Sequence, residues 1–187
     1  MKPTAFLAIL AAAWLLAGCG SNGLASKAME ATGLRKPPEL PEAHKPPRSV
    51  PLRLHASPKL NLDKHGQPLA LAVRLYKLRQ KDAFEQAPYA AFLNPQAERE
   101  SLGPDLLEVR EIMLVPGQRY EVTEKVSREA GHLAVVALFQ RPAEQRWRTT
   151  VAAADAERDG LNIGLHACAL TVGGSSQAAT LSSVRCQ

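Results

Sequence analysis

The chain has little of what most enzyme and metal sites are built from. Its 187 residues include three cysteines, and no two of them form a Cys-x-x-Cys redox pair. The five histidines, His44, His55, His65, His132 and His166, are scattered, and none opens a His-Glu-x-x-His zinc helix. There is no Gly-x-Ser-x-Gly nucleophile elbow. The formal charge of +5 is mild, and no cluster of basic and aromatic residues marks a nucleic-acid surface. The apolar run from Ala5 to Leu16 spans roughly 18 Å as a helix at about 1.5 Å per residue. That is well short of the roughly 30 Å hydrocarbon core, so this run does not read as a membrane span. No internal repeat is visible.

What the N-terminus does have is one lysine, the apolar run and then small residues, the anatomy of a secretory signal peptide. Leu16-Ala17-Gly18-Cys19 resembles the lipobox of bacterial lipoproteins. That resemblance implies a diacylglycerol on the Cys19 sulfur, cleavage before Cys19 and acylation of the new amine. One acyl chain holds a protein only marginally, whereas two or three make attachment durable. Gly20, where an inner-membrane lipoprotein would carry Asp, implies a periplasm-facing anchor in the outer membrane. In that oxidising compartment Cys168 and Cys186 read as a structural disulfide, with two buried free thiols as the alternative. The segment between them reads as a strand, a Gly/Ser turn and a return strand. A bridge closing a loop of this size contributes on the order of 3 kcal/mol.

The expected organisation is a signal peptide at 1–18, a lipid-anchored spacer at 19–49 and one domain at 50–187. Loss of Lys2 leaves a mature charge of +4. "LASKAMEATG" suits a short helix ending near Gly33, but Pro37, Pro38, Pro41, Pro46 and Pro47 rule out helix beyond it. Such a segment favours extended polyproline geometry and acts as a semi-rigid spacer. From Val50 onward the pattern turns to strands. "VPLRLHAS" alternates, and Leu69, Leu71, Val73 and Leu75 of "LALAVRLYKL" share a face. A helical excursion is expected near Asp82–Leu107. "VREIMLVPGQRYEVTEKV" reads as a strand, a Pro116-Gly117 turn and another strand. "HLAVVALFQ" suits a buried central strand, and "RWRTTVAAA", "LNIGLHACALTVG" and "ATLSSVRC" supply further strands. Short strands at regular spacing with little helix predict an all-β, two-sheet sandwich.

Between the first two strands lies "LNLDKHGQP". Asn61, Asp63 and Gly66 match positions 1, 3 and 6 of an EF-hand calcium loop. His65 at position 5 offers nitrogen to a hard cation, and position 12 falls on Ala72, so the calcium reading fails. Asp63 and His65 alone do not make a catalytic triad, which geometry defines. The seven residues Asn61–Gln67 exceed what a hairpin needs. Loops on rigid scaffolds are where binding surfaces are commonly built.

The order and spacing of several motifs resemble the type VI secretion system outer-membrane lipoprotein family (TssJ/VasD/SciN). After the lipobox and proline-rich spacer come Asn61-x-Asp63-x-x-Gly66-x-Pro68, then Val73-Arg74-Leu75-Tyr76-x-Leu78. Phe84, Tyr89 and Leu93 follow, then Leu114-x-Pro116-Gly117 and Trp147-Arg148. The resemblance implies a transthyretin-like β-sandwich with helical elements after the second strand. It also implies a non-catalytic, cofactor-free role in a membrane complex, gripping the periplasmic C-terminal region of TssM. No metal, nucleic acid or small-molecule substrate is expected. The family's first inter-strand loop takes part in the TssM contact; carried over, it comprises Asn61, Leu62, Asp63, Lys64, His65, Gly66 and Gln67. Leu62 is the expected apolar anchor, with Asp63 and Lys64 tuning electrostatic fit. Arg74, Tyr76, Pro116, Gly117 and Trp147 read as fold residues. The strand pair carrying Cys168 and Cys186 is not assignable to the family in general. A free-standing periplasmic lipoprotein that binds a small ligand or peptide is the alternative, and it would need a concave apolar pocket.

Overall fold

Strand β1, Arg48–Ala56, buries Val50, Leu52 and Leu54 while Arg53 and His55 face solvent, so its period of two defines one inward face. The computed structural model to which it belongs describes residues 40–173 and Cys186. Along β1, strand β4 (Arg119–Val126) pairs antiparallel on one side and β7 (Leu161–Leu165) parallel on the other. Strand β8 (Leu170–Val172) pairs antiparallel with β7, giving a four-stranded sheet in the order β4-β1-β7-β8.

Pro51 sits inside this central strand, where a missing N–H ordinarily breaks a ladder. Its carbonyl faces Gly160, just before β7 begins pairing at Leu161. A strand residue's N and O point the same way, so the missing donor falls where no partner strand yet exists. Gly160 has φ 75°, and a Cβ there would lie 3.2 Å from Pro51 O, which explains the glycine.

The second sheet runs β3-β2-β5-β6, all antiparallel. Its strands are β2 (Leu71–Leu78), β3 (Leu106–Leu114), β5 (His132–Ala137) and β6 (Arg148–Ala152). Leu71, Val73 and Leu75 are buried on the inner face, as their alternation predicts. Leu133 to Ala137 are all buried, because β5 is covered on both faces. The two sheets enclose one main core, and the architecture is a β-sandwich with short helices.

The helical excursion expected near Asp82–Leu107 is present as helix α1 (Asp82–Gln86), a 3-10 turn (Tyr89–Leu93), helix α2 (Pro95–Leu102) and a second 3-10 turn (Gly103–Asp105). It covers the outer face of β2 and β5 with aromatic rings. Tyr76 meets Phe84 at 5.4 Å and Phe92 at 5.9 Å between centroids, and Phe92 meets Trp147 at 5.4 Å. Asn94 caps α2 by accepting from Gln96 N at 2.8 Å and Ala97 N at 3.2 Å, with Pro95 in the first turn. That cap fixes buried Glu98, which accepts hydrogen bonds from the Tyr76 hydroxyl and from Arg74 Nη1 at 2.9 Å. Arg74 continues to Phe92 O at 2.9 Å and Glu111 Oε2 at 2.7 Å. Burial first, then the Glu98 carboxylate, pushes the Tyr76 phenol far above its ordinary value, so it stays a neutral donor.

Three sequence expectations meet a different arrangement. The strands around Pro116-Gly117 form, but β3 pairs β2 and β4 pairs β1, so the turn crosses between sheets. Gly117 takes φ 78°, Gln118 N donates to Val115 O at 3.1 Å, and Gly117 N reaches Ser57 O at 3.2 Å at the end of β1. Residues after β6 form helix α3 (Ala153–Asp159), which buries Ala153 and Ala156 one turn apart and stops at Gly160. The chain also joins the sandwich earlier than Val50, since the compact unit runs from Pro41. Glu42 Oε1 accepts from Arg48 at 2.8 Å and from Arg128 at 2.9 Å, and Arg128 also holds Pro46 O at 2.7 Å and Glu157 at 3.0 Å. The expected signal peptide, lipobox, short helix and return strand "ATLSSVR" lie outside the described residues.

Arg148 ties the excursion to β6. Its guanidinium stacks on Trp147 at 4.6 Å and donates to Phe84 O at 2.7 Å, Ala87 O at 2.6 Å and Glu85 O. Arg148→Met keeps the stem but strands those carbonyls. It should lower stability by about 1.5–3 kcal/mol, the scale of hydrogen bonds to a charged donor. Urea denaturation with an unchanged slope checks this.

Candidate functional site

The β1–β2 connection, residues 57–70, is anchored before it is exposed. Leu60 is fully buried and its carbonyl accepts from Leu69 N at 3.1 Å, drawing the two ends of the loop together. Asn61 follows with φ 47°, a left-handed conformation that asparagine tolerates better than most residues. Its side chain is 5% exposed. Nδ2 donates to Ala70 O at 2.8 Å, and Oδ1 accepts from Gln140 N at 2.8 Å. Its own N–H donates to His166 O at 3.1 Å, and Leu62 N donates to Ala167 O at 2.9 Å.

The tip is organised by Asp63. Its Oδ1 accepts from His65 N and Gln67 N, each at 2.8 Å, while Gly66 N returns to Asp63 O at 3.1 Å with Gly66 at φ 77°. The main-chain bond to Gln67, then that to His65, holds the Asp63 carboxyl below its ordinary value. Lys64, His65, Gly66 and Gln67 are exposed, and Leu62 and Asp63 are half-buried.

The seven expected residues therefore divide by position. Asn61 is an internal strut, Asp63 shapes the tip, and Leu62, Lys64, His65, Gly66 and Gln67 present surface. Asp63 contacts His65 through the main chain and not the ring, so the pair is not a catalytic dyad. Among the described residues no three His, Cys, Asp or Glu side chains gather as a metal site.

Sequence reasoning missed the neighbours. The turn after β7 presents four consecutive carbonyls, Leu165 to Cys168, to Ser57 N, Asn61 N, Leu62 N and Ala143 N. The segment 138–147 adds Gln140, and Leu170 N returns to Arg146 O at 2.7 Å. Nothing in a one-dimensional pattern announces a row of backbone acceptors. The expected disulfide is formed between Cys168 and Cys186 in this same turn. The whole assembly lies beyond the C-terminal end of β1, whereas the chain arrives at its N-terminal end. Nine strand residues separate the two, roughly 30 Å at 3.3 Å each.

Clefts among the described residues are open to solvent. The largest described is about 410 Å³ and is lined by Phe84, Glu85, Gln145, Arg148, Thr149 and Thr150. Its Arg148 is occupied by carbonyls and its Glu85 by Thr150 at 2.6 Å. No described helix is long and apolar enough to cross a membrane.

A β-sandwich with a helical cover on one sheet and a pinned loop at one end defines a structural class, and comparison with known proteins narrows it. The family model for "Type VI secretion lipoprotein, VasD, EvfM, TssJ, VC_A0113" matches residues 48–168, more than half of the chain. The chain belongs to that family. The crystal structure of the T6SS lipoprotein TssJ1 from Pseudomonas aeruginosa is similar at 31% identity and TM-score 0.60, covering 68% of this chain and 95% of that one. A chain of a type VI membrane complex is similar at 26% identity and TM-score 0.61, covering 67% and 97%. A chain from a structure described as the TssM C-terminal domain (869–1107) from EAEC shares the fold at 24% identity and TM-score 0.59, covering 68% and 99%. No curated protein matches.

Two outcomes follow for this loop. Asn61→Ala combines a left-handed backbone penalty of about 1–2 kcal/mol with stranded buried groups at about 1–3 kcal/mol. Asn61→Gly avoids the first, so chemical denaturation should show the alanine variant as the less stable by about 1–2 kcal/mol. For Asp63 the folded value is depressed, so its contribution to tip order is complete above the unfolded value of 3.8 and is lost as pH falls through the lower folded value. The Gln67 amide resonance should hold steady at pH 5 and move as pH falls through that acid range.

Proposed function

We propose that this type VI secretion lipoprotein is anchored in the outer membrane through acylated Cys19 and holds the secretion membrane complex by binding the periplasmic C-terminal region of TssM. The observation that carries the reading is the loop itself. It is fixed at its base by buried Asn61, exposed at its tip, and set beyond the C-terminal end of β1. A preorganised loop binds without the ordering cost of a floppy one. Similarity to a chain of a type VI membrane complex supports the choice of partner.

The contact surface is Leu62, Lys64, His65, Gly66 and Gln67, with Asn61 and Asp63 shaping it from within. Leu62 supplies the apolar centre, and Lys64 supplies charge that steers encounter. The clefts are open to solvent and none is an enclosed cavity among the described residues, which favours this assembly role over a ligand-binding lipoprotein.

Titration of the mature chain bearing Cys19→Ser against the cognate TssM C-terminal region should give micromolar or tighter affinity, about −8 kcal/mol. Leu62→Ala should weaken it about 10-fold or more, with an unchanged melting temperature. Equal affinity in that variant and in Lys64→Glu moves the interface to another face. In cells, Cys19→Ser should shift the protein from the outer-membrane fraction to the soluble periplasmic one; retention in the membrane fraction would defeat the anchor assignment.

A further inference from the structure

The row of carbonyls that holds the loop has weak support of its own. It runs from the last residue of β7 into the turn before β8, and among the described residues β8 is three residues long and at the edge of its sheet. Cys168 packs with Ala143 and Ala169 in a small cluster separate from the main core. Such a turn, bounded by a short edge strand and a satellite cluster, belongs to the least stable part of a fold. Yet it accepts Ser57 N at 2.8 Å, Asn61 N at 3.1 Å, Leu62 N at 2.9 Å and Ala143 N at 2.8 Å. Leu62 is the proposed apolar contact, and its backbone is tied to the sandwich through Ala167, the residue next to Cys168. The covalent bond to Cys186 closes this turn from the C-terminal side. The family match ends at Cys168, so the bond joins the last residue of the shared region to a segment beyond it.

We propose that the Cys168–Cys186 disulfide is a positioning element for the partner loop, holding the 165–168 carbonyl row so that Asn61 and Leu62 present the binding surface. The proposal rests on the functional reading above for its partner, but not for its mechanism. Its chain of contacts is short: disulfide to turn, turn to loop base, loop base to exposed tip. A disulfide that stabilised the whole domain would act on every element alike, whereas this one acts on the loop first. Cys186 is exposed and Cys168 is buried, so a reductant reaches the bond from the Cys186 side.

The test compares the oxidised mature chain bearing Cys19→Ser with the same protein reduced in place by a water-soluble phosphine. The phosphine donates two electrons to the sulfur–sulfur bond and takes oxygen from water, leaving two thiols and the phosphine oxide. Hydrogen exchange, which needs no partner, is read at single amides. The expected result is a 10-fold or greater acceleration at Asn61, Leu62 and Ala143, with Leu133 to Ala137 unchanged. Unchanged exchange at the three loop amides overturns the proposal. So does uniform acceleration through β2 and β5, which would make the bond a general stabiliser. A Cys168→Ser/Cys186→Ser variant repeats the comparison without reductant, and reduction in place covers the case in which that variant does not fold. Affinity for the TssM C-terminal region is then measured on both forms, with about 10-fold weakening expected on reduction. Equal affinity despite faster loop exchange overturns the link to binding. Absence of binding by the oxidised protein, with the exchange result as expected, overturns the functional reading and leaves the positioning role intact.

Discussion

One buried carboxamide holds the loop end of this sandwich together. Asn61 sits in a left-handed backbone conformation between Leu60 and Leu62, and its side chain bonds Ala70 on one side and Gln140 on the other. That carboxamide bridges the segments 57–70 and 138–147, and without it the Ala70 carbonyl and the Gln140 N–H would each need another partner. Because those partners are backbone atoms, the geometry does not depend on which side chains the neighbouring loops carry. The exposed tip can therefore vary in sequence while its base keeps its shape.

The rest of the sandwich keeps that base in place. The outer face of β2 and β5 carries buried Tyr76, Ala134 and Val136, and the helical excursion covers it with an aromatic cluster. Two arginines fasten the cover from opposite sides, Arg74 through Glu98 and Phe92 O, and Arg148 through three carbonyls of the first helical segment. Both use the planar guanidinium to serve several acceptors at once, which lysine could not do. Tyr89 adds a third tie by donating to Phe139 O at 2.5 Å, just before the segment that reaches Asn61. The cover and the loop are thus linked through residues 138–147, although they lie on different parts of the surface.

The strands of the domain core were legible because burial there follows period two or a continuous apolar run. Val50, Leu52 and Leu54 show the first pattern, and Leu133 to Ala137 the second. Pairing was not legible. The parallel β1–β7 contact joins segments more than a hundred residues apart, and the Pro116-Gly117 turn looks the same in sequence whether its strands pair or separate. Helix α3 escaped notice because an alanine-rich run with a glycine stop is short and only two of its residues reach the core. At the candidate site the sequence marked the loop Asn61–Gln67 but not how its residues divide between internal strut and exposed surface. A left-handed asparagine bonded to three backbone partners leaves no periodic trace.

The point where the chain joins the sandwich has a mechanical consequence. Glu42, Arg48, Arg128 and Glu157 clamp the segment immediately before β1, and the exposed loop begins immediately after it. A pull between a fixed N-terminal segment and a gripped loop would run along the axis of β1. That strand is laddered on both sides, to β4 from Arg48 to His55 and to β7 from Leu52 to Ala56. Force along the strand loads those ladders in shear, so many hydrogen bonds must yield together and none can be unzipped singly from an end. The strand between these two points is the one best placed to bear tension along its length.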